Sequence, residues 1–193
     1  MGSIVVTEFV SLDGVMEDPG GSEGSKLGPW TFQFDRGPEG NQFKIDELAA
    51  SDAMLLGRNT YEGFAKAWPE RSGDDFSGKM NSMRKYVVSS TLKDADATWN
   101  NTKVLRGDFS TEVTKLRAEP GGDVLVHGSA KLVQGLIEHD LVDELRLMVF
   151  PIILGSGKRL YSQSGRTTKL ELTSSKALAS GILLLTYHPA KAA

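Results

Sequence analysis

Eight short runs of β-branched and aliphatic residues, at 4–10, 53–56, 86–89, 104–105, 124–127, 144–150, 170–176 and 182–187, read as strands. Stretches with helical spacing alternate with them at 41–51, 60–67, 110–117 and 129–138, and beyond about residue 150 only strands remain. That order constrains the fold more than any other feature. Parallel strands need long crossovers, usually helices, whereas antiparallel strands can be joined by a tight turn. The alternating part therefore predicts an α/β fold with a mostly parallel sheet and helices on both faces. The last two runs, separated by a stretch ending in Ser180 and Gly181, predict an antiparallel hairpin at the C-terminal edge. The strongest helix is 129–138, where Leu132, Val133, Leu136 and Ile137 form one stripe and Ser129 can cap the first turn.

Two stretches carry no such pattern. Residues 13–39 hold six glycines and three prolines, and their length suits a lid or binding loop better than a connector. Residues 69–83 are polar and read as a surface loop. No composition shift divides the 193 residues, so one domain over 1–193 is expected. The 22 basic and 25 acidic residues leave a net charge of -3 and no broad basic field; nucleic acid is not an expected partner, and any anion site must be local. The absence of cysteine excludes disulfides, thiolate metal sites and thiol nucleophiles. The three histidines, His127, His139 and His188, lack metal-ligand spacing, so no metal is expected. Glu8 breaks the first apolar run far short of a membrane span and no basic segment precedes it, which predicts a cytoplasmic protein.

Three strand ends look chemically equipped. In Leu56-Gly57-Arg58-Asn59-Thr60-Tyr61 a buried-type strand gives way to a helix whose first turn offers N–H groups to an anion, with Arg58 adding charge and Thr60 a hydroxyl. Ordinary punctuation explains the same residues if Gly57 ends the strand and Thr60 caps the helix. Val87 to Thr91 ends another strand in Ser89, Ser90 and Thr91. Val126-His127-Gly128-Ser129-Ala130 ends a third in a small-residue turn, followed by Lys131. Three strand ends of one sheet can converge on one extended ligand, and a dinucleotide needs that many contacts. Arg106, after residues 104–105, is either a second cation for a ribose phosphate or a solvated loop arginine.

Other patterns are less selective. The segment 151–160 misses the phosphate-loop pattern, because position 152 is Ile and Arg159 follows Lys158. Gly20-Gly21-Ser22-Glu23-Gly24 matches a hydrolase string without the strand and helix that a nucleophile elbow requires. No G-x-G-x-x-G follows the first strand, which argues against a Rossmann dehydrogenase. Carboxylates gather near the long loop: Glu8, Asp13, Glu17, Asp18, Asp35 and Glu39. Asp13 follows the first strand and faces the expected cleft, although an Asp-Gly turn accounts for it equally well. Trp30, Phe32 and Phe34 alternate at period two, as an aromatic wall for a heterocycle or a short core strand would.

Five motifs in register carry a resemblance: Ser11-Leu12-Asp13-Gly14; Gly57-Arg58-Asn59-Thr60-Tyr61-Glu62; Val88-Ser89-Ser90; His127-Gly128-Ser129-Ala130; and Asp143 to Leu147 leading to Pro151 and Leu154-Gly155-Ser156-Gly157-Lys158. The chain resembles the dihydrofolate reductase superfamily, and within it the reductase domain of the bifunctional deaminase-reductase of riboflavin biosynthesis. The resemblance implies an eight-stranded, mainly parallel sheet whose last strand is antiparallel, with NADPH lying across the strand ends. Arg58, Asn59 and Thr60 would hold phosphate, Ser89 and Ser90 the 2'-phosphate side, and Gly128, Ser129, Ala130 and Lys131 the pyrophosphate; Arg106 is the further cofactor contact expected from its own position. Asp13 and Asp35 are the expected acids, and Ser11, Trp30 and Phe32 the expected substrate contacts. The implied reaction is hydride transfer to a ribosylaminopyrimidine-like heterocycle or, as an alternative, a pteridine, in a homodimer. A nucleotide-binding module without chemistry is the competing expectation.

Overall fold

The computed structural model describes residues 2–163 and 166–190; residues 1, 164, 165 and 191–193 of the expected domain lie outside the described residues. In chain order the elements are β1 (Ile4–Ser11), α1 (Gly37–Ala49), β2 (Ser51–Gly57), α2 (Arg58–Ala67), α3 (Asp75–Ser82), β3 (Arg84–Val88), β4 (Thr102–Leu105), α4 (Phe109–Ala118), β5 (Asp123–Val126), α5 (Ala130–Glu138), β6 (Glu144–Phe150), β7 (Leu170–Ala177) and β8 (Leu183–Pro189). All strands join one sheet in the order β4-β3-β2-β5-β1-β6-β8-β7. The six strands from β4 to β6 are parallel. The last strand, β8, is antiparallel to both β6 and β7.

The expected antiparallel hairpin thus closes this edge of the sheet, with β8 inside and β7 outermost. The connection after β6 carries the chain past the position beside β6, and the turn at Gly181 (φ +83°) returns it into that gap, leaving β7 outermost. Alternation along β1 explains the layering, since neighbouring residues point to opposite faces. Ile4 and Val6 pack on one face with Val113 of α4 and Leu132, Val133 and Leu136 of α5. Val5 packs on the other with Leu48 of α1, Tyr61 of α2 and Met80 of α3.

Two expectations for the loops change. Residues 69–83 are not all loop: Asp74 accepts the N–H of Ser77 at 2.8 Å and caps α3, and Met80 is buried against the sheet. One cap and one apolar anchor suffice here because the sheet supplies the rest. Trp30, Phe32 and Phe34 form no strand, since Thr31–Gln33 is a single 3-10 turn that leaves Trp30 and Phe34 against the same ring, Phe150, and Phe32 outside. Trp30 is fully buried; its indole N–H donates to the Glu17 carbonyl at 2.8 Å and its ring meets Phe150 edge-on at 5.3 Å. Phe32 is 76% exposed.

Trp30 thereby fastens the middle of the long loop to the end of β6. Trp30→Ala is expected to lower unfolding free energy by about 3–5 kcal/mol in urea denaturation, the usual range for removing a buried tryptophan. A change under about 1 kcal/mol would show that the loop docks without it.

Candidate functional site

The site begins where β1 and β5 part. Their parallel pairing runs from Ile4 and Val124 to Val6 and Val126; β5 then turns through Gly128 into α5, while β1 continues along β6 as far as Ser11. The flank of β1 beyond Val6 is released from the ladder, and a cleft of about 1930 Å³ opens along the strand ends. Open α/β sheets bind ligands in such crevices.

Two glycines set the floor. Gly57, between β2 and α2, sits against Ser129, and any side chain there would collide with the Ser129 hydroxyl. Gly128 holds φ +65°, and a Cβ on it would come within 2.9 Å of Thr60 Oγ1. Close approach of these turns brings the N-termini of α2 and α5 side by side. Neither first turn has a side-chain cap, whereas Asp74 and Asp108 cap α3 and α4 and Pro38 opens α1. The cleft therefore faces N–H groups at the positive ends of two helix dipoles.

Arg58, Asn59, Thr60, Gly128, Ser129, Ala130 and Lys131 all line the cleft. Arg58 pairs with Glu62 at 2.7 Å and donates to the Thr91 hydroxyl at 2.7 Å, which holds its guanidinium along the α2 rim. Ser89, Ser90 and Arg106 stand outside the lining residues, at the neighbouring strand ends. Ser89 accepts the N–H of Leu92 at 3.0 Å, and Arg106 donates to the Leu92 carbonyl at 2.6 Å and pairs with Asp94 at 2.9 Å.

The expected acids and substrate contacts are distributed differently. Asp13 accepts the Ser11 hydroxyl at 2.6 Å and the N–H groups of Leu154 and Gly155 at 3.1 and 2.9 Å, and it does not line the cleft. Those donors, led by Ser11, pull its carboxyl down to about 2. It is an ionised clamp between β1 and the turn after β6, so the acid role is corrected to a structural one. Ser11 is committed to the same clamp, also accepting the Val15 N–H at 2.9 Å, and Trp30 is core; neither reaches the cleft. Asp35 lines the cleft as an exposed rim residue that accepts the Gly37 N–H at 2.8 Å. Phe32 lines the cleft too, joined by Phe9 and Phe34.

Sequence reasoning named the two central groups, Glu8 among several carboxylates and His127 within a strand-end turn, without giving either a role. Glu8 lies on the released flank of β1, 8% exposed, and accepts the Gly128 N–H at 2.5 Å. Burial raises its carboxyl to about 8, although the Gly128 N–H and Lys44 act in the opposite direction. Lys44 of α1 gives Glu8 no ion pair; it is engaged with Glu47 and donates to the Thr7 hydroxyl at 2.9 Å. His127 also lines the cleft; burial drives its ring down to about 3, so it is neutral, and its buried Nε2 has no partner among the described residues. The available signal was a glutamate in the middle of an otherwise apolar strand.

The sequence profile of the RibD C-terminal domain matches residues 3–184. YyaP, an uncharacterized protein of Bacillus subtilis (strain 168), is 28% identical over 189 residues, covering 96% of this chain and 94% of YyaP. The crystal structure of a putative riboflavin biosynthesis protein from Shewanella sp. PV-4 superposes with a TM-score of 0.77 at 20% identity, over 98% of this chain and 99% of that one. Dihydrofolate reductase from Enterococcus faecalis, complexed with NADP(H), superposes at 0.62 with 15% identity, over 98% of both chains. These structures share the dihydrofolate reductase-like sheet, and the profile match over nearly the whole length shows that the chain belongs to the RibD C-terminal domain family.

Proposed function

We propose that the protein is an NADPH-dependent reductase that places hydride on a carbon of a C=N or carbonyl-like group in a nitrogen heterocycle, with ribosylaminopyrimidines ahead of pteridines as the substrate class. The pair of uncapped helix N-termini meeting at Gly57 and Gly128 carries the reading. A pyrophosphate needs many N–H donors and positive potential in a place where backbone can approach it, and this cradle supplies both. Arg58 and Lys131 add cations on either side, and the unpartnered His127 Nε2 offers one more polar contact inside the cleft. Ser89, Ser90 and Arg106, in the same row of strand ends, supply hydroxyls and a cation for the 2'-phosphate.

NADPH, when bound, supplies the hydride. Phe9, Phe32 and Phe34 offer apolar surface to a planar ring in the same cleft. Family membership supports a substrate of the riboflavin-precursor kind, and the fold shared with an NADP(H)-bound dihydrofolate reductase supports the cofactor. A cytoplasmic homodimer completes the reading; the outermost strand β7, exposed along its whole length with Leu170 and Leu172 uncovered, is the surface that favours a second copy.

Calorimetric titration at fixed salt is expected to show micromolar binding of NADPH and weaker binding of NADH; absence of binding by both removes the reductase reading. Arg58→Ala is expected to weaken NADPH by about 1.5 kcal/mol, the low end for a charge-assisted hydrogen bond, because the guanidinium is half-exposed and already shared with Glu62. Unchanged affinity takes Arg58 out of the site. Sedimentation as a dimer is expected, and a monomer at all concentrations removes the homodimer.

A further inference from the structure

We propose that Glu8 is the proton donor of the reduction, and that the substrate is a heterocycle whose C=N nitrogen accepts that proton. The inference rests on the reductase reading above. It adds to that reading a group no cofactor motif contains, the Glu8 carboxyl, which is bonded to the Gly128 turn. The cleft is lined by the N-termini of α2 and α5 and also by Phe9, Phe32 and Phe34. Glu8 lines the same cleft and is tied by Oε1 to the Gly128 N–H at the start of α5, while Oε2 makes no hydrogen bond among the described residues. A dinucleotide anchored on the helix termini therefore lies against the turn to which this carboxyl is bonded, and a substrate ring sharing the cleft comes within reach of Oε2.

The surroundings keep the proton on Glu8. From α1, Lys44 and Glu47 face it as a closed ion pair, so the nearby positive charge is offset. From the long loop, Glu23 adds a further negative charge, itself shared with Lys158 at 3.3 Å. From the β5–α5 turn comes the Gly128 N–H, and the adjacent His127 is neutral. A protonated carboxyl whose second oxygen is free to donate is matched by a ring nitrogen with an open lone pair.

The step balances without a further reagent. The carbon of the C=N bond receives the hydride that NADPH gives up, its π pair moves to nitrogen, and nitrogen takes the proton from Glu8. The substrate is reduced to an amine, NADPH is oxidised to NADP+, and Glu8, left as a carboxylate, regains a proton from solvent.

Calorimetry at pH 7 in two buffers of different ionisation enthalpy, with NADP+ and NADPH as probes, tests the assignment. Wild-type protein is expected to release more protons on binding NADP+, because a positive ring beside Glu8 favours its carboxylate, and Glu8→Gln is expected to abolish the difference. Equal release for the two nucleotides, or an undiminished difference in the variant, overturns the donor role. Failure of both nucleotides to bind overturns the NADPH reading and the donor role with it. The state of Glu8 is then read separately from denaturant unfolding. A carboxyl raised from 4.5 to about 8 stabilises the fold below the ordinary carboxylate range and loses that contribution as pH rises through about 8. Wild type should therefore lose stability relative to Glu8→Gln between pH 5 and about 8, and a flat difference shows that Glu8 carries no proton. In turnover, any heterocycle that wild type reduces should be reduced about 10²–10⁴-fold more slowly by Glu8→Gln, with the wild-type decline above about pH 8 gone; equal rates overturn the role.

Discussion

The parting of β1 from β5 after Val6 and Val126 is the constraint on which the rest depends. A continuous parallel ladder would have sealed the sheet and left only a shallow row of loops at its edge. Because β5 stops and turns at Gly128, the next stretch of β1 keeps its place beside β6 while losing its other neighbour. One side of a central strand, normally the driest place in an α/β fold, is thereby opened to a ligand.

The groups that line that opening give up stability. Two helix termini lack the side-chain caps that Asp74 and Asp108 supply elsewhere in the same chain, and each missing cap costs about 1 kcal/mol. A carboxyl and an imidazole are held in their neutral forms by burial beside the same turn. The surrounding core is built to tolerate this: Trp30 and Phe150 anchor the long loop, and Asp13 ties the end of β1 to the turn after β6. The groups lining the cleft can stay unsatisfied because those that hold the frame are satisfied.

Much of the fold was legible. Hydrophobic runs located every strand, and the switch from alternating helices to strands alone located the antiparallel hairpin. The order of β7 and β8 within the sheet was not legible, since hydropathy records which residues are buried but not which gap a returning chain enters. The helix α3 was missed because its support is a cap and a single buried methionine. At the candidate site, Gly57, Arg58 and Gly128 to Lys131 stood out because they interrupt elements at chemically conspicuous points. Asp13 stood out for the same reason, yet its oxygens go to Ser11, Leu154 and Gly155, two of them about 140 positions away along the chain.

By itself the sequence determined a parallel α/β sheet with its polar turns at one set of strand ends, because side-chain periodicity and turn chemistry are local properties. Tertiary structure alone decided which of the carboxylates lining the cleft is buried. Glu8 and Gly128 are 120 residues apart, and the environment that keeps a proton on Glu8 comes from a turn, a helix and a loop brought together only by folding. Charge state depends on desolvation and on neighbours in space. Neither is written in the local order of residues.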